Sequence, residues 1–290
     1  MNNRFVAFGY NGTILVSSNA INWMGCASGT ANELRAAAAS SNLVVLVGPS
    51  GTVVTSGDGL HWTNQTSVSY SPYFGDVAYG NGNFVALDEA YTGVHTSSNG
   101  VDWVSRPTGS ANALYSIAFG SGTFVAVGVY GTILTSRNLI NWAPRSPAPQ
   151  SATLYDVRYY LGRFVAVGSG GILISSTNAV DWTLHRPLPI WMPLHIYYGA
   201  GSFMLTGYGN SVLESDRVAE LDLGRSSGLP EVRVSGLESC TYRIESTDEL
   251  RPSSTWMPRV TMTLTNSPAS WLDMEATNHL RRFYRVVLLP

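Results

Sequence analysis

Five tryptophans, Trp23, Trp62, Trp103, Trp142 and Trp182, follow one another at intervals of 39, 41, 39 and 40 residues, and each closes the same phrase of sequence. In its clearest copy the phrase runs Phe124-Val125-Ala126-Val127-Gly128, a short loop ending at Gly131, then Thr132-Ile133-Leu134-Thr135-Ser136, then Asn138 and Trp142. A unit of about 40 residues cannot enclose a core of its own. It buries its apolar faces against its neighbours, as propellers and solenoids do.

Six copies of the central run can be aligned: Phe5 to Gly9, Leu43 to Gly48, Phe84 to Asp88, Phe124 to Gly128, Phe164 to Gly168 and Phe203 to Gly207. Each is too short for a helix and apolar or small throughout, which suits a strand covered on both faces. Gly80-Asn81-Gly82-Asn83 and Gly120-Ser121-Gly122-Thr123 precede two of these runs and supply the positive φ of a tight hairpin. A strand lies before that turn, a third strand follows the run, and a fourth carries the tryptophan, whose indole is expected to be buried between adjacent blades. The expected fold is therefore all-β: a six-bladed β-propeller of four-stranded antiparallel blades over residues 1–216. It is incomplete at its termini, because the first copy lacks an inner strand and the sixth lacks a tryptophan strand.

Beyond 216 the period stops. Val218 to Leu223, Glu231 to Val234, Thr241 to Glu245, Arg259 to Leu264, Ala269 to Leu272 and Phe283 to Leu288 alternate as half-buried strands do. They predict a small immunoglobulin- or fibronectin-like β-sandwich over 217–290.

Composition removes several classes of function. Charged residues make up 12% of the chain and its net charge is −2, which argues against nucleic acid or an anionic membrane as a partner, since either needs a basic face. All 17 basic residues are arginine. Two isolated cysteines, Cys26 and Cys240, cannot form a metal site, and His61, His95, His185, His195 and His279 show no paired metal spacing. No metal or other cofactor is expected. No apolar run is long enough to span a membrane. Nor does the chain carry a nucleophile elbow or a phosphate loop, and no nucleophile for covalent catalysis is evident. The chain opens inside the repeat at Arg4-Phe5-Val6, without a signal peptide, so an export signal and part of a blade are expected to have preceded it.

The turn before each tryptophan has its own chemistry. In Ser56-Gly57-Asp58-Gly59-Leu60-His61-Trp62 the short polar side chains can accept backbone N–H bonds and so hold the hairpin. Asn19, Asn99, Asn138 and Asn178 stand in place of Asp58 in the other copies. Over residues 5 to 215 the chain resembles the Asp-box, or bacterial neuraminidase repeat, family, in a variant one residue shorter than the usual motif. It is similar to the repeats of large secreted and surface proteins of environmental bacteria, and residues 241–250 with the closing Arg-Arg-Phe-Tyr-Arg-Val-Val resemble the sandwich modules that follow such propellers. The resemblance implies export to the bacterial cell surface and a fold that serves hydrolases, lectins, receptors and assembly factors alike.

Candidate binding residues gather on one face, where the loops between second and third strands meet the loops between blades. Tyr10, Tyr91, Tyr130 and Tyr208 occupy the former, and Tyr70, Tyr73 and Trp191 the latter. Arg106, Arg145 and Arg186 stand just past three of the tryptophans. Aromatic rings stack on sugars or apolar side chains, and arginine clamps carboxylates, so the surface suits a glycan or a protein at the cell surface. The expected function is non-enzymatic binding or adhesion, the protein-bound form being a scaffold like the Asp-box assembly factors of photosynthetic membranes. One alternative is a structural subunit that self-associates through its unpaired blade edges. A second is a sialidase-like glycosidase, which would need the three arginines on a substrate carboxylate and acidic partners among Asp88, Glu89 and Glu214.

Overall fold

The computed structural model describes residues 4–65, 72–90, 92–145, 152–185, 192–199, 202–207, 211–214, 219–226, 229–236, 241–248, 255–265, 269–276 and 282–288. The repeat folds into a succession of antiparallel sheets. The first sheet joins Phe5–Phe8, Ile14–Ser17 and Met24–Cys26. The second joins Ala36–Ala39, Val44–Gly48, Thr52–Ser56 and Thr63–Asn64, and the third Phe74–Gly80, Asn83–Asp88, Gly93–Ser97 and Val104–Pro107. Leu114–Gly120, Thr123–Gly128, Ile133–Ser136 and Ala143–Arg145 make the fourth; Leu154–Tyr160, Arg163–Gly168, Ile172–Ser176 and Thr183–Leu184 make the fifth. Pro193–Gly199, Ser202–Gly207 and Ser211–Glu214 make a three-stranded sixth.

The hairpins between first and second strands are set by backbone sterics. Asn81-Gly82, Ser121-Gly122 and Leu161-Gly162 all take positive φ at both residues, the twist of a two-residue type I′ turn. The inner strand of the fourth sheet loses register between Leu114 and Ser116, and that of the fifth between Leu154 and Asp156, so each carries a bulge.

Packing between sheets follows one rule. The core shared by the third and fourth sheets contains Val85, Leu87 and Val94 from one and Leu114, Phe124, Ala126 and Leu134 from the other. That of the fourth and fifth contains Val125, Val127 and Ile133 against Leu154, Phe164, Ala166 and Ile174. Successive residues of one strand thus serve opposite neighbours, which is why the central runs show no polar alternation.

The tryptophans are less enclosed than expected. Trp62 is buried, Trp103, Trp142 and Trp182 are half-buried, and Trp23 is 42% exposed. Each stands just before the short outermost strand, and Trp62, Trp103, Trp142 and Trp182 pack against the cores between sheets. The Ser-x-Asn/Asp turns that precede them are built as expected. Asp58 Oδ1 accepts the backbone N–H groups of Leu60 and His61 at 2.8 Å each. Asn138 Oδ1 accepts those of Ile140 and Asn141 at 3.0 and 2.9 Å, and Asn19, Asn99 and Asn178 repeat the arrangement.

The chain divides into two compact units, residues 1–196 with 206–211, and residues 197–205 with 212–290. Within the second unit, a sheet of Ala219–Ser226, Leu229–Gly236 and Ala269–Leu272 accompanies one of Met257–Thr263, Thr241–Thr247 and Phe283–Leu288. Val232 and Val234 of the former and Tyr242 and Ile244 of the latter, with Leu264, form one buried apolar cluster. Glu245 is clamped by Arg243 and Arg285, and Asp273 by Arg282 and Tyr284, so the carboxylates buried there are paired.

Candidate functional site

The inner strands carry a chain of polar side chains that no motif announced. Asp76, Ser116 and Asp156 stand 40 residues apart, at the irregular point of the inner strands of the third, fourth and fifth sheets, and are all buried. Each reaches across to the next sheet. Asp76 Oδ2 accepts the N–H of Ile117 at 3.0 Å, Ser116 Oγ that of Val157 at 3.2 Å, and Asp156 Oδ2 that of Ile196 at 2.9 Å. Inner-strand donors that would otherwise be buried without partners are thereby satisfied.

The three side chains also meet one another. Ser116 Oγ lies 2.8 Å from Asp76 Oδ2 and 2.9 Å from Asp156 Oδ1. A serine hydroxyl has one proton to donate, so the second of these contacts is donated by a carboxyl group. Arg158 completes the cluster, its Nε 3.1 Å from Asp156 Oδ1 and its Nη1 3.5 Å from Asp76 Oδ2. Burial pushes the Asp156 carboxyl above its ordinary range; Arg158 pulls it down and the Asp76 charge pushes it up again.

A second polar group lies at the start of the third sheet. The Arg35 guanidinium stacks 4.6 Å over the Tyr73 ring and pairs with Glu33 at 3.0 Å and with Glu89 at 3.8 Å. Burial raises the Glu89 carboxyl, against the pull of Arg35. Asp88 is fully buried, accepts the N–H groups of Tyr73 and Ala90, and faces His95 at 3.4 Å. Asp88 and Glu89 are therefore engaged in holding loops and ion pairs.

On the loop face, Tyr10 and Tyr130 are 75% and 67% exposed, both in loops between second and third strands. Tyr130 has φ 54°, a left-handed conformation that a bulky residue seldom adopts, where the matching residues are Asn11, Ser50 and Gly170. Beside it a cleft of about 380 Å³ is lined by loop 108–112, by Tyr130 to Leu134, and by Trp142, Pro144 and Arg145. Asn112 ties that loop to Thr132 by a 2.8 Å bond, as Asn32 ties the loop between the first and second sheets to Thr52.

Arg106 and Arg145 occupy the outermost strands of different sheets. Their Nε atoms donate to Thr96 and Thr135 of the adjoining strand at 3.1 and 3.2 Å. Gln65 with Thr55 and His185 with Ser175 repeat the pairing, so the column is a feature of the repeat. Arg145 forms no ion pair among the described residues, and segment 146–151 contains no aspartate or glutamate. The structure thus brings Tyr130, Arg145 and Trp142 to one cleft and sets Tyr73 within the Arg35 cluster. Tyr70, Tyr91, Arg186, Trp191 and Tyr208 lie outside the described residues. No group of acidic, histidine and cysteine side chains suited to a metal ion occurs among the described residues.

No sequence family matches the chain, and no curated protein matches it in sequence. Solved structures do match it in fold. A structure described as YCF48 bound to D1 peptide aligns at 16% identity with a TM-score of 0.57, covering 80% of this chain and 85% of that one. YCF48 from Cyanidioschyzon merolae aligns at 13% identity and TM-score 0.55, covering 79% and 88%. The WD40 β-propeller domain of Doa1 aligns at 12% identity and TM-score 0.56, covering 79% and 85%. At these identities the likeness is one of fold, and the fold of the chain is that of a β-propeller.

Proposed function

We propose that the chain is a non-enzymatic scaffold that holds an extended segment of a protein partner in the cleft beside Tyr130. The exposed tyrosine in a strained left-handed conformation carries this reading. Strain of that kind, about 1–3 kcal/mol for a bulky residue, persists only where the surrounding structure holds it, and it clusters at ligand clamps and binding loops. Arg145 supports it as a guanidinium in the cleft lining that is free of any carboxylate among the described residues. The peptide in the YCF48 structure is a further support, as an instance of this fold holding a peptide.

In this proposal the six sheets are the blades of one propeller over residues 1–216, and residues 217–290 form a β-sandwich around the Val232 and Tyr242 cluster. The absence of catalysis belongs to the same reading. Its support is the dispersal of the groups a glycosidase would gather: Arg106 and Arg145 sit on the outer strands of separate sheets, and Asp88 is buried against His95. Export and residence at a bacterial cell surface rest on the repeat resemblance.

The test is a random peptide library and a glycan array panned against the same chain. Peptides should be enriched, and Tyr130→Ala and Arg145→Ala should each weaken them about tenfold, near 1.4 kcal/mol. Binders indifferent to both substitutions, or glycans retained in place of peptides, would remove the proposal.

A further inference from the structure

The repeat supplies its own controls, and the fourth sheet departs from them. Alternation along its third strand sets Ile133 and Thr135 on the face that meets the fifth sheet, Arg145 stands opposite Ile133, and Arg137 continues the row. Arg137 Nε donates to Thr123 Oγ1 at 3.3 Å and Arg145 Nε to Thr135 Oγ1 at 3.2 Å. Both guanidiniums line a cleft of about 250 Å³ that the fifth sheet shares through Asn178, Ala179 and Val180. Arg145 lines this cleft and the one beside Tyr130, whereas Arg137 lines only this one of the two. The equivalents of Arg137 in the first, second, third and fifth sheets are Ser18, Gly57, Ser98 and Thr177. Only the fourth sheet therefore sets two arginines side by side.

Neither of them is neutralised. Arg35, Arg158, Arg243, Arg259, Arg282 and Arg285 each meet a carboxylate. Arg137 and Arg145 form no ion pair among the described residues. The turn that carries an acid in the third and fifth sheets has lost it here: Asn99 and Asn178 donate from Nδ2 to Asp102 and Asp181 at 2.8 and 2.9 Å, and the fourth sheet has Asn141 at that place. Neighbouring like charges on one sheet face are unfavourable, and an anion between them removes the repulsion.

We propose that this cleft is a binding site for a phosphate group, held between Arg137 and Arg145 with the amides of Asn138 and Asn141 alongside. A phosphate monoester carries about two negative charges near neutral pH and so matches both guanidiniums, where a carboxylate matches one. The bond from each Nε to a threonine orients the guanidinium and leaves its terminal Nη groups to donate to the anion. A volume of about 250 Å³ leaves room for the atoms to which the phosphate is attached.

The experiment is isothermal titration calorimetry of the full chain at low ionic strength with inorganic phosphate, glycerol phosphate and acetate. Both phosphates should bind saturably at one site per chain, and acetate about tenfold more weakly. Tighter binding of glycerol phosphate identifies an ester as the ligand, and tighter binding of inorganic phosphate identifies the free ion; either order agrees with the site. Arg137→Gln should weaken both phosphates about tenfold, the loss of one charged donor. Arg106→Gln, on a sheet with Ser98 in place of a second arginine, should leave them unchanged. Arg137 is exposed, so its variant should melt with the wild type; if it does not, Arg137→Ser, the residue of the first and third sheets, replaces it with the same expectation. Arg137 lies outside the lining of the Tyr130 cleft, so peptide capture there and phosphate binding here stand or fall separately. No saturable binding of either phosphate overturns the proposal, as does acetate bound equally well or a folded Arg137 variant with unchanged affinity.

Discussion

Two sets of short polar side chains hold this repeat together, one at the rim and one at the inner strands, and they work over different distances. At the rim, Asn138 bonds to the backbone two and three residues ahead, a closure complete within one hairpin. At the inner strands, Asp76, Ser116 and Asp156 bond 40 and 41 residues ahead, each from its own sheet to the next. The rim groups meet water, where a hydrogen bond replaces one to solvent at little net gain. The inner groups are buried, where an unmade bond costs the whole desolvation of its atoms. The rim turns should therefore act separately, and the inner chain as a unit.

The largest expected effect is at the inner chain. Asp156→Ala removes the acceptor for Ile196 and a partner of Ser116 and Arg158, and should cost about 3–5 kcal/mol in denaturant melts, as breaking a buried ion pair does. A loss below about 1 kcal/mol would place the inner chain on the same footing as the rim. At the rim, stability comes more from the indole than from the turn. Trp142→Ala should cost about 2–4 kcal/mol, somewhat less than a fully buried tryptophan because the residue is only half-buried.

A pH series sharpens the contrast. The folded chain holds the Asp156 proton more tightly than the unfolded chain, whose carboxyl titrates near its ordinary value of 3.8. The stability linked to that proton is fully present below this value and is lost as pH rises through the raised folded value. The groups facing it are Asp76, Arg158 and His195, the last 3.9 Å away. Asp156→Asn carries no such proton, so its stability relative to wild type should improve as pH rises over that range. Parallel curves for the two proteins would show that the buried carboxyl does not titrate with folding.

Smaller effects are expected within the turns. Asn138→Ala should cost about 1 kcal/mol, and Asn138→Asp about zero, because Asp58 already fills the equivalent place. Ala20 has φ 58° at an exposed position where the second and third sheets use Gly59 and Gly100. Ala20→Gly should therefore raise stability by about 0.5 kcal/mol, the relief of a left-handed alanine exceeding the added freedom of the unfolded chain. Destabilisation on thermal melting would contradict it.

What the sequence made legible follows the same division. The strands, the glycine hairpins and the Ser-x-Asn/Asp turns were readable because each is decided within a few residues. The inner chain was not, because each of Asp76, Ser116 and Asp156 bonds to a residue 40 or 41 positions ahead in the next sheet, which no local pattern shows; only their shared spacing marks them. A search for polar residues recurring at the period of the tryptophans would have found them. The same search would have grouped Arg106 and Arg145 with Gln65 and His185, long polar side chains that cap a hydroxyl on the adjoining strand. Tyr130 was visible as a loop aromatic, but its left-handed backbone and its place on a cleft depend on loop 108–112, which packs beside it only in the fold.

The claim that the inner chain acts as a unit while the rim turns act separately is tested most directly by paired double-mutant cycles. Ser116→Ala is combined with Asp156→Asn at the inner strands, and Asn138→Ala with Asn178→Ala at the rim. The account predicts a coupling of about 1–3 kcal/mol for the inner pair and additivity within about 0.5 kcal/mol for the rim pair. An additive inner pair, or a rim pair coupled as strongly as the inner one, would contradict it.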